Sequence, residues 1–311
     1  MNSVFFNSTL TDEERRRRLY EGELFVFSPL PSTLVLCEFA RELIQEAFAP
    51  LNPREAEYRL PTGEYIAILA RLKPTFVHHS KSKQLIQGVL EEMGTELEKT
   101  YFDVPRLKTI PQAGNHPSGL TYAIHPHRDT WYSAPFCQQN WWLPVYDVGS
   151  ASALAFHPRY WTEPVRNGSN NFNHYRWNKY ARKAAADDPE KYNQEQPRPE
   201  ETVELESEIR LICPAGGILL FSGAQLHSAV PNTSRQTRFS IDFRTVHMDD
   251  VLAKAGAPNI DSAATGTTLR DFLRGTDFSR ISDETAGLYD SEPLVDGDLI
   301  FQPGMPESLS R

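Results

Sequence analysis

From about residue 118 the chain breaks into short apolar runs separated by turn residues, and this texture constrains the fold most. The runs are "LTYAIH", "WWLPVYDV", "SALAFH", "VELESEIRLIC", "GGILLFSG" and "RFSIDFRTVH". Between them stand "SAP", "DVGSAS", "CPAGG" and "PNTSRQ". Strand-length segments punctuated by Gly, Pro, Asn and Ser suggest an antiparallel sandwich or jelly roll. Helical spacing precedes them. In "SPLPSTLVLCEFARELIQEAF", Leu36, Phe39, Ala40, Leu43, Ile44 and Ala47 form a stripe behind Ser32 as N-cap. A second stripe in "SKSKQLIQGVLEEMGTELEKT" comprises Leu85, Ile86, Val89, Leu90, Met93 and Leu97. "ELFVFS" and "GEYIAILARL" read as strands. Helices followed by a run of strands fit α+β.

Residues 160 to 201 interrupt the strands with a polar stretch. A loop this long is often functional, such as a lid; the alternative is a solvated excursion. Its first half clusters Arg166, His174, Arg176, Lys179, Arg182 and Lys183 with Tyr175, Trp177 and Tyr180 interleaved. That composition suits either a clasp for an anionic or aromatic small molecule or a charged surface helix. The tail from Asp249 combines polar loops with a helix candidate, "TTLRDFLRG". The expected organisation is one catalytic domain over residues 1–311. Residues 1–117 give N-terminal support, 118–247 the core with its insert at 160–201, and 248–311 a C-terminal extension.

Composition narrows the function classes. Forty-one acidic against 32 basic residues give a net charge of −9, which argues against a nucleic-acid partner. Cys37, Cys137 and Cys213 lack CxxC spacing, so buried, inert thiols are expected and not a disulfide framework or structural zinc. The N-terminus has no apolar leader, and no run approaches about 18 apolar residues. A cytoplasmic protein with no membrane partner is expected. "RRRR" at Arg15 to Arg18 follows "TDEE" and reads as a charged helix face.

The chemistry-bearing stretch is "TYAIHPHRDTWYS". In extended chain His127 and Asp129 point to the same side and can meet one cation. His227, after "GGILLFSGAQL", is the candidate third ligand. Two histidines and a carboxylate leave three metal positions open, the facial arrangement of non-heme Fe(II) oxygenases. Arg238, followed by Ser240, offers a guanidinium fork for a carboxylate. His125 shares the face of His127 and Asp129. The strand repeat of about 6.5 Å makes three consecutive ligands awkward, so His125 is expected to line the pocket, with a His125–His127 ligand pair as the alternative. Trp131 and Tyr132 are either core or pocket wall. Gln138 and Asn140 are amides in an apolar strand, and one of them is expected to line the pocket. His78, His79, His116, His157 and His247 read as structural.

These motifs resemble the Fe(II)/2-oxoglutarate-dependent dioxygenases, in particular the phytanoyl-CoA dioxygenase-like group. The resemblance rests on His127-x-Asp129 and on "PAGGILLFSGAQLHSAVPNTSRQTRFSIDFR", and it spans roughly residues 118 to 246. "SALAFHPRYW" departs from the family: Pro158 is present, but Arg159-Tyr160-Trp161 replaces the usual motif. The resemblance implies a double-stranded β-helix of jelly-roll, cupin-like type with flanking N-terminal helices. It implies Fe(II) on His127, Asp129 and His227, and 2-oxoglutarate on Arg238, assisted by Ser240, with O2 as co-substrate. Related halogenases replace the carboxylate ligand with Ala or Gly, so Asp129 points to hydroxylation of a small polar or anionic metabolite. Desaturation, cyclisation or epimerisation would use the same ligands. A non-catalytic or isomerase-type cupin is the alternative. His125, Trp131, Tyr132, Gln138, Asn140, Arg159 and Arg176 are the candidates for substrate contact.

Overall fold

A computed structural model of the chain describes residues 3–113, 125–181 and 196–290. Thr11 starts α1 (Asp12–Tyr20) with a capping box: Glu14 N–H donates to its hydroxyl at 3.3 Å, and the Glu14 carboxylate accepts the Thr11 N–H at 2.9 Å. The arginine run is not simply a solvated face. Arg15 and Arg16 are buried, Arg15 against Asp12 and the Met93 carbonyl, Arg16 between Asp12 and Asp250. The next helix, α2 (Pro31–Phe48), begins one residue before the expected Ser32 cap. Pro31 suits the first turn because its missing N–H would be unpaired there anyway. The Thr33 hydroxyl accepts the Leu30 N–H, and the Ser32 backbone N–H donates to the Glu92 carboxylate.

"GEYIAILARL" lies in a helix, not a strand. α3 (Thr62–His78) buries Tyr65, Ile68, Leu69, Leu72 and Phe76, a three-and-four spacing that fits one helical face. His79 then caps α4 (Ser80–Glu92), accepting the Lys81 N–H at Nδ1. Gly94, at φ 72°, ends that run, so Leu97 lies outside the helix.

Two sheets carry the rest. In chain order the strands are β1 (Val4–Phe6), β2 (Leu24–Phe27), β3 (Thr100–Phe102), β4 (Arg106–Ile110), β5 (Gln139–Pro144) and β6 (Leu154–Phe156). They continue with β7 (Ile209–Leu211), β8 (Ile218–Ser222), β9 (His227–Ala229), β10 (Arg238–His247) and β11 (Leu273–Arg274). The large sheet runs β1-β2-β8-β5-β10-β3-β11, with β4 also on β10; the small one runs β7-β6-β9. The β1–β2 pair is parallel and the others antiparallel. Strands from the N-terminal region thus complete the sheet formed by β5, β8 and β10.

Period-two alternation divides the large sheet's side chains. Phe25, Trp141, Leu143, Leu220, Phe239 and Phe243 pack with Phe39, Ile44, Phe76 and Ile86 of the helices. Leu24, Val26, Trp142, Leu219 and Phe221 point the other way, toward Leu154, Phe156 and Leu211 of the small sheet. The sheet is therefore covered on both faces.

The stretch "TTLRDFLRG" does not form the expected helix. It makes a short turn, Leu269–Asp271, and then β11, which pairs with β3. In the insert, Tyr160, Trp161, Val165, Phe172 and Tyr175 are buried, so its described part is packed onto the body. Much of "LTYAIH", and also His116, Arg182 and Lys183, lies outside the described residues. All three cysteines are buried and free. No helix among the described residues is long and apolar enough to cross a membrane.

Candidate metal centre

The small sheet brings His127 and His227 together. Their backbones exchange two hydrogen bonds of 3.0 Å as an isolated antiparallel bridge. Each imidazole is held from behind: His127 Nδ1 lies 3.0 Å from the His125 carbonyl oxygen, and His227 Nδ1 lies 3.0 Å from that of Gln225. With the proton on Nδ1, each ring donates to that carbonyl and keeps the Nε2 lone pair free. Asp129 opens a short turn, Asp129–Tyr132, anchored where its N–H donates to the Gly223 carbonyl at 2.8 Å. Its Oδ1 stands 3.7 Å from His127 Nε2 and 3.9 Å from His227 Nε2. One ligand atom from each of these residues lies within 4.8 Å of the others. No further Cys, His, Asp or Glu joins this group among the described residues.

Burial pushes His127 well below the ordinary histidine range, and the neighbouring His227 and His125 add to the effect. Burial also lowers His227, partly opposed by Asp129. Two imidazoles held toward the neutral form and one oxygen of Asp129 therefore converge. That donor set suits a divalent first-row metal, and three protein ligands leave positions for exogenous groups.

The three residues lie on a narrow cavity of about 70 Å³ between the sheets, which also meets Arg238 and Ser240 on β10. Arg238 NH1 donates to the Ser152 carbonyl at 2.6 Å, and its guanidinium lies 5.6 Å from the centre of the Trp142 ring. Its Nε and the Ser240 hydroxyl are buried with no hydrogen-bond partner. Buried polar groups are seldom left so. Both fit a bound carboxylate. Burial brings the guanidinium down to about 10, so it stays cationic at neutral pH. A larger open groove of about 780 Å³, lined by Glu55, Tyr58 and Arg235, shares no residue with this cavity.

No protein-family model and no curated protein matches this chain. Solved structures do. EvdO2 from Micromonospora carbonacea var. aurantiaca complexed with 2-oxoglutarate is 13% identical, covering 76% of this chain and 91% of its own, at a TM-score of 0.44. The non-heme monooxygenase ThoJ is 12% identical, over 82% of this chain and 85% of its own, at 0.43. The non-heme alpha ketoglutarate dependent epimerase SnoN from nogalamycin biosynthesis is 12% identical, over 76% and 84%, at 0.35. At these scores the likenesses assign neither family nor activity.

The remaining candidates separate. Asn140 lines the cavity, but its amide is committed to Asp129, as is that of Gln138. Trp131 is core: fully buried with Tyr160, Val165 and Leu226, its Nε1 donates to Asp261 at 2.7 Å. Tyr132 and His125 stand beside His127, with ring centres 5.7 and 5.8 Å from it. The Tyr132 hydroxyl donates to the Pro197 carbonyl at 3.0 Å. Arg159 is an exposed residue paired with Glu163 and Glu204, and it is not at the cavity. Arg176 is exposed on a short turn. Of the basic cluster, His174 is buried against Asp271 at 3.0 Å. His157 is structural, 3.0 Å from the Ser228 hydroxyl. Arg244 and Gly223 were missed by pattern reading. Arg244 was detectable, since Arg238, Ser240, Asp242 and Arg244 alternate onto one face of β10.

Proposed function

We propose that this chain is a non-heme Fe(II) enzyme that uses 2-oxoglutarate and O2 to oxidise a small polar or anionic molecule. The observation that carries the reading is one cavity with an open two-histidine, one-carboxylate group and a buried arginine whose Nε has no hydrogen-bond partner. In this reading the two facing sheets form a double-stranded β-helix. His127, Asp129 and His227 would hold the iron. A ferrous ion there supplies the redox chemistry that couples decarboxylation of the 2-oxo acid to oxidation of the substrate by O2. For a hydroxylation the balance is 2-oxoglutarate plus O2 plus R–H giving succinate, CO2 and R–OH, with one oxygen atom in each of succinate and the alcohol.

The chain's own residues bind and orient. The backbone carbonyls of His125 and Gln225 fix the two imidazoles. Arg238 Nε and the Ser240 hydroxyl receive the distal carboxylate. Leu154, Phe221 and Trp142 form the apolar part of the cavity wall. The test is substrate-dependent succinate formation together with anaerobic binding of Fe(II) and 2-oxoglutarate, read from the weak visible charge-transfer band of the chelate. Asp129→Ala and His227→Ala abolish turnover; normal iron-dependent turnover in either variant sinks the assignment.

A further inference from the structure

The two oxygens of Asp129 have different surroundings. Oδ1 faces His127 and His227. Oδ2 accepts from Gln138 Nε2 at 2.9 Å, from Asn140 Nδ2 at 3.0 Å and from Arg244 Nε at 3.3 Å. A carboxylate oxygen offers roughly two lone-pair directions, so three donors saturate Oδ2. We propose that Gln138, Asn140 and Arg244 are positioning residues that make Asp129 a one-oxygen ligand and thereby keep the remaining metal positions open. The proposal rests on the reading of the triad as a metal site.

The arrangement is built into the sheet. Asn140 and Arg244 are register partners on β5 and β10, so one cross-strand pair aims two donors at the same oxygen. Gln138, just before β5, also donates to Asn140 Oδ1 at 2.9 Å, which turns the Asn140 NH2 toward Asp129. Gln138 and Asn140 are buried. Arg244 is held in turn by Asp103, which accepts its backbone N–H at 2.7 Å and its NH1 at 3.3 Å. A side chain on Gly223 would intrude, because a Cβ there would sit 3.1 Å from Gln138 Nε2. The consequence is chemical. A chelating carboxylate would occupy a second position, leaving two where a 2-oxo acid and O2 together require three.

Co(II) added anaerobically to the full chain tests this without turnover. Gln138→Met and Asn140→Leu keep the volume and remove the donor. Loss of such outer contacts costs about 10- to 100-fold in metal affinity. We therefore expect a weaker Kd for Co(II) in each folded variant, an altered visible Co(II) spectrum, and separately weaker binding of 2-oxoglutarate to the Co(II) form. If either variant fails to fold, Arg244→Lys, which keeps the charge but loses the planar fork, is expected to show the same changes at smaller size. Folded variants with wild-type Co(II) affinity, spectrum and 2-oxoglutarate binding overturn the positioning role. Wild-type protein that binds neither Co(II) nor 2-oxoglutarate overturns the proposed function itself.

Discussion

Arg128, the residue between two members of the candidate triad, donates from Nε to both carboxylate oxygens of Asp261 at 3.0 Å across 133 residues of sequence. Its NH1 donates to the Ala224 carbonyl at 2.8 Å and its NH2 to that of Tyr160 at 2.5 Å. Asp261 also accepts from Trp131 Nε1 and from the Val165 N–H. One buried ion pair therefore ties the turn carrying Asp129 to the insert and to the C-terminal region. Burial lowers the Arg128 guanidinium, and Asp261 opposes that shift.

Removing one partner of a buried, bonded pair leaves the other charge uncompensated, at a cost of about 3–5 kcal/mol. Arg128→Met and Asp261→Asn should each lower stability by an amount of that order in urea unfolding. The double replacement Arg128→Met with Asp261→Leu should recover part of the loss. Single variants as stable as wild type would show that the pair is not needed.

Arg238→Ala should weaken binding of 2-oxoglutarate to the anaerobic Fe(II) form. A hydrogen bond to a charged group contributes about 1.5–3 kcal/mol, or roughly 10- to 150-fold in Kd. Arg238→Lys should recover only part, because an ammonium lacks the planar fork. Titration of the visible band measures both, and an unchanged Kd in Arg238→Ala removes the residue from the co-substrate site.

The metal-free protein should lose stability as pH falls below about 6.5, the ordinary histidine value. Burial brings His157 down to about 4 and holds His127 and His227 below their ordinary range. Between pH 6.5 and 4 the unfolded chain binds protons that the folded chain refuses, so folding stability rises with pH across that window. Each such group contributes up to about 1.4 kcal/mol per pH unit. Unfolding midpoints at pH 7, 6 and 5 measure the slope, and a flat or opposite trend contradicts the burial argument.

Gly22→Ala should destabilise the fold and loosen His227. Gly22 sits at φ 91°, and a Cβ there would lie 2.4 Å from the Trp161 ring. Its carbonyl accepts Gln225 Nε2 at 2.5 Å, and the Gln225 carbonyl orients His227. Overpacking of this kind costs about 1–3 kcal/mol. The expected outcome is a lower melting temperature with weaker Co(II) binding; unchanged melting would show that Trp161 moves aside freely.

The helices α2 and α4 and strands such as β8 and β10 were legible because their apolar residues repeat at 3.6 or 2. α3 was misread because "YIAILARL" carries a run of apolar residues dense enough to suit either period, and only its length and its packing against α2 and β4 distinguish them. The run "RRRR" misled in a different way. Charge normally marks solvent, but Asp12 and Asp250 supply the compensation that lets Arg15 and Arg16 turn inward.

By itself the sequence offered His127, Asp129 and His227 as ligand candidates, with a His125–His127 pair as the alternative, and Arg238 as the cation to face them, because residue type and local spacing are properties of the chain. Only the tertiary structure decided where the other candidates sit. Asn140 lines the cavity as expected, and pairing β5 with β10 also makes it a donor to Asp129 beside Gln138. Packing under the insert made Trp131 core, and Arg159 stands at the surface, paired with Glu163 and Glu204 and away from the cavity. Those outcomes depend on partners up to more than a hundred residues distant, and no local pattern records them.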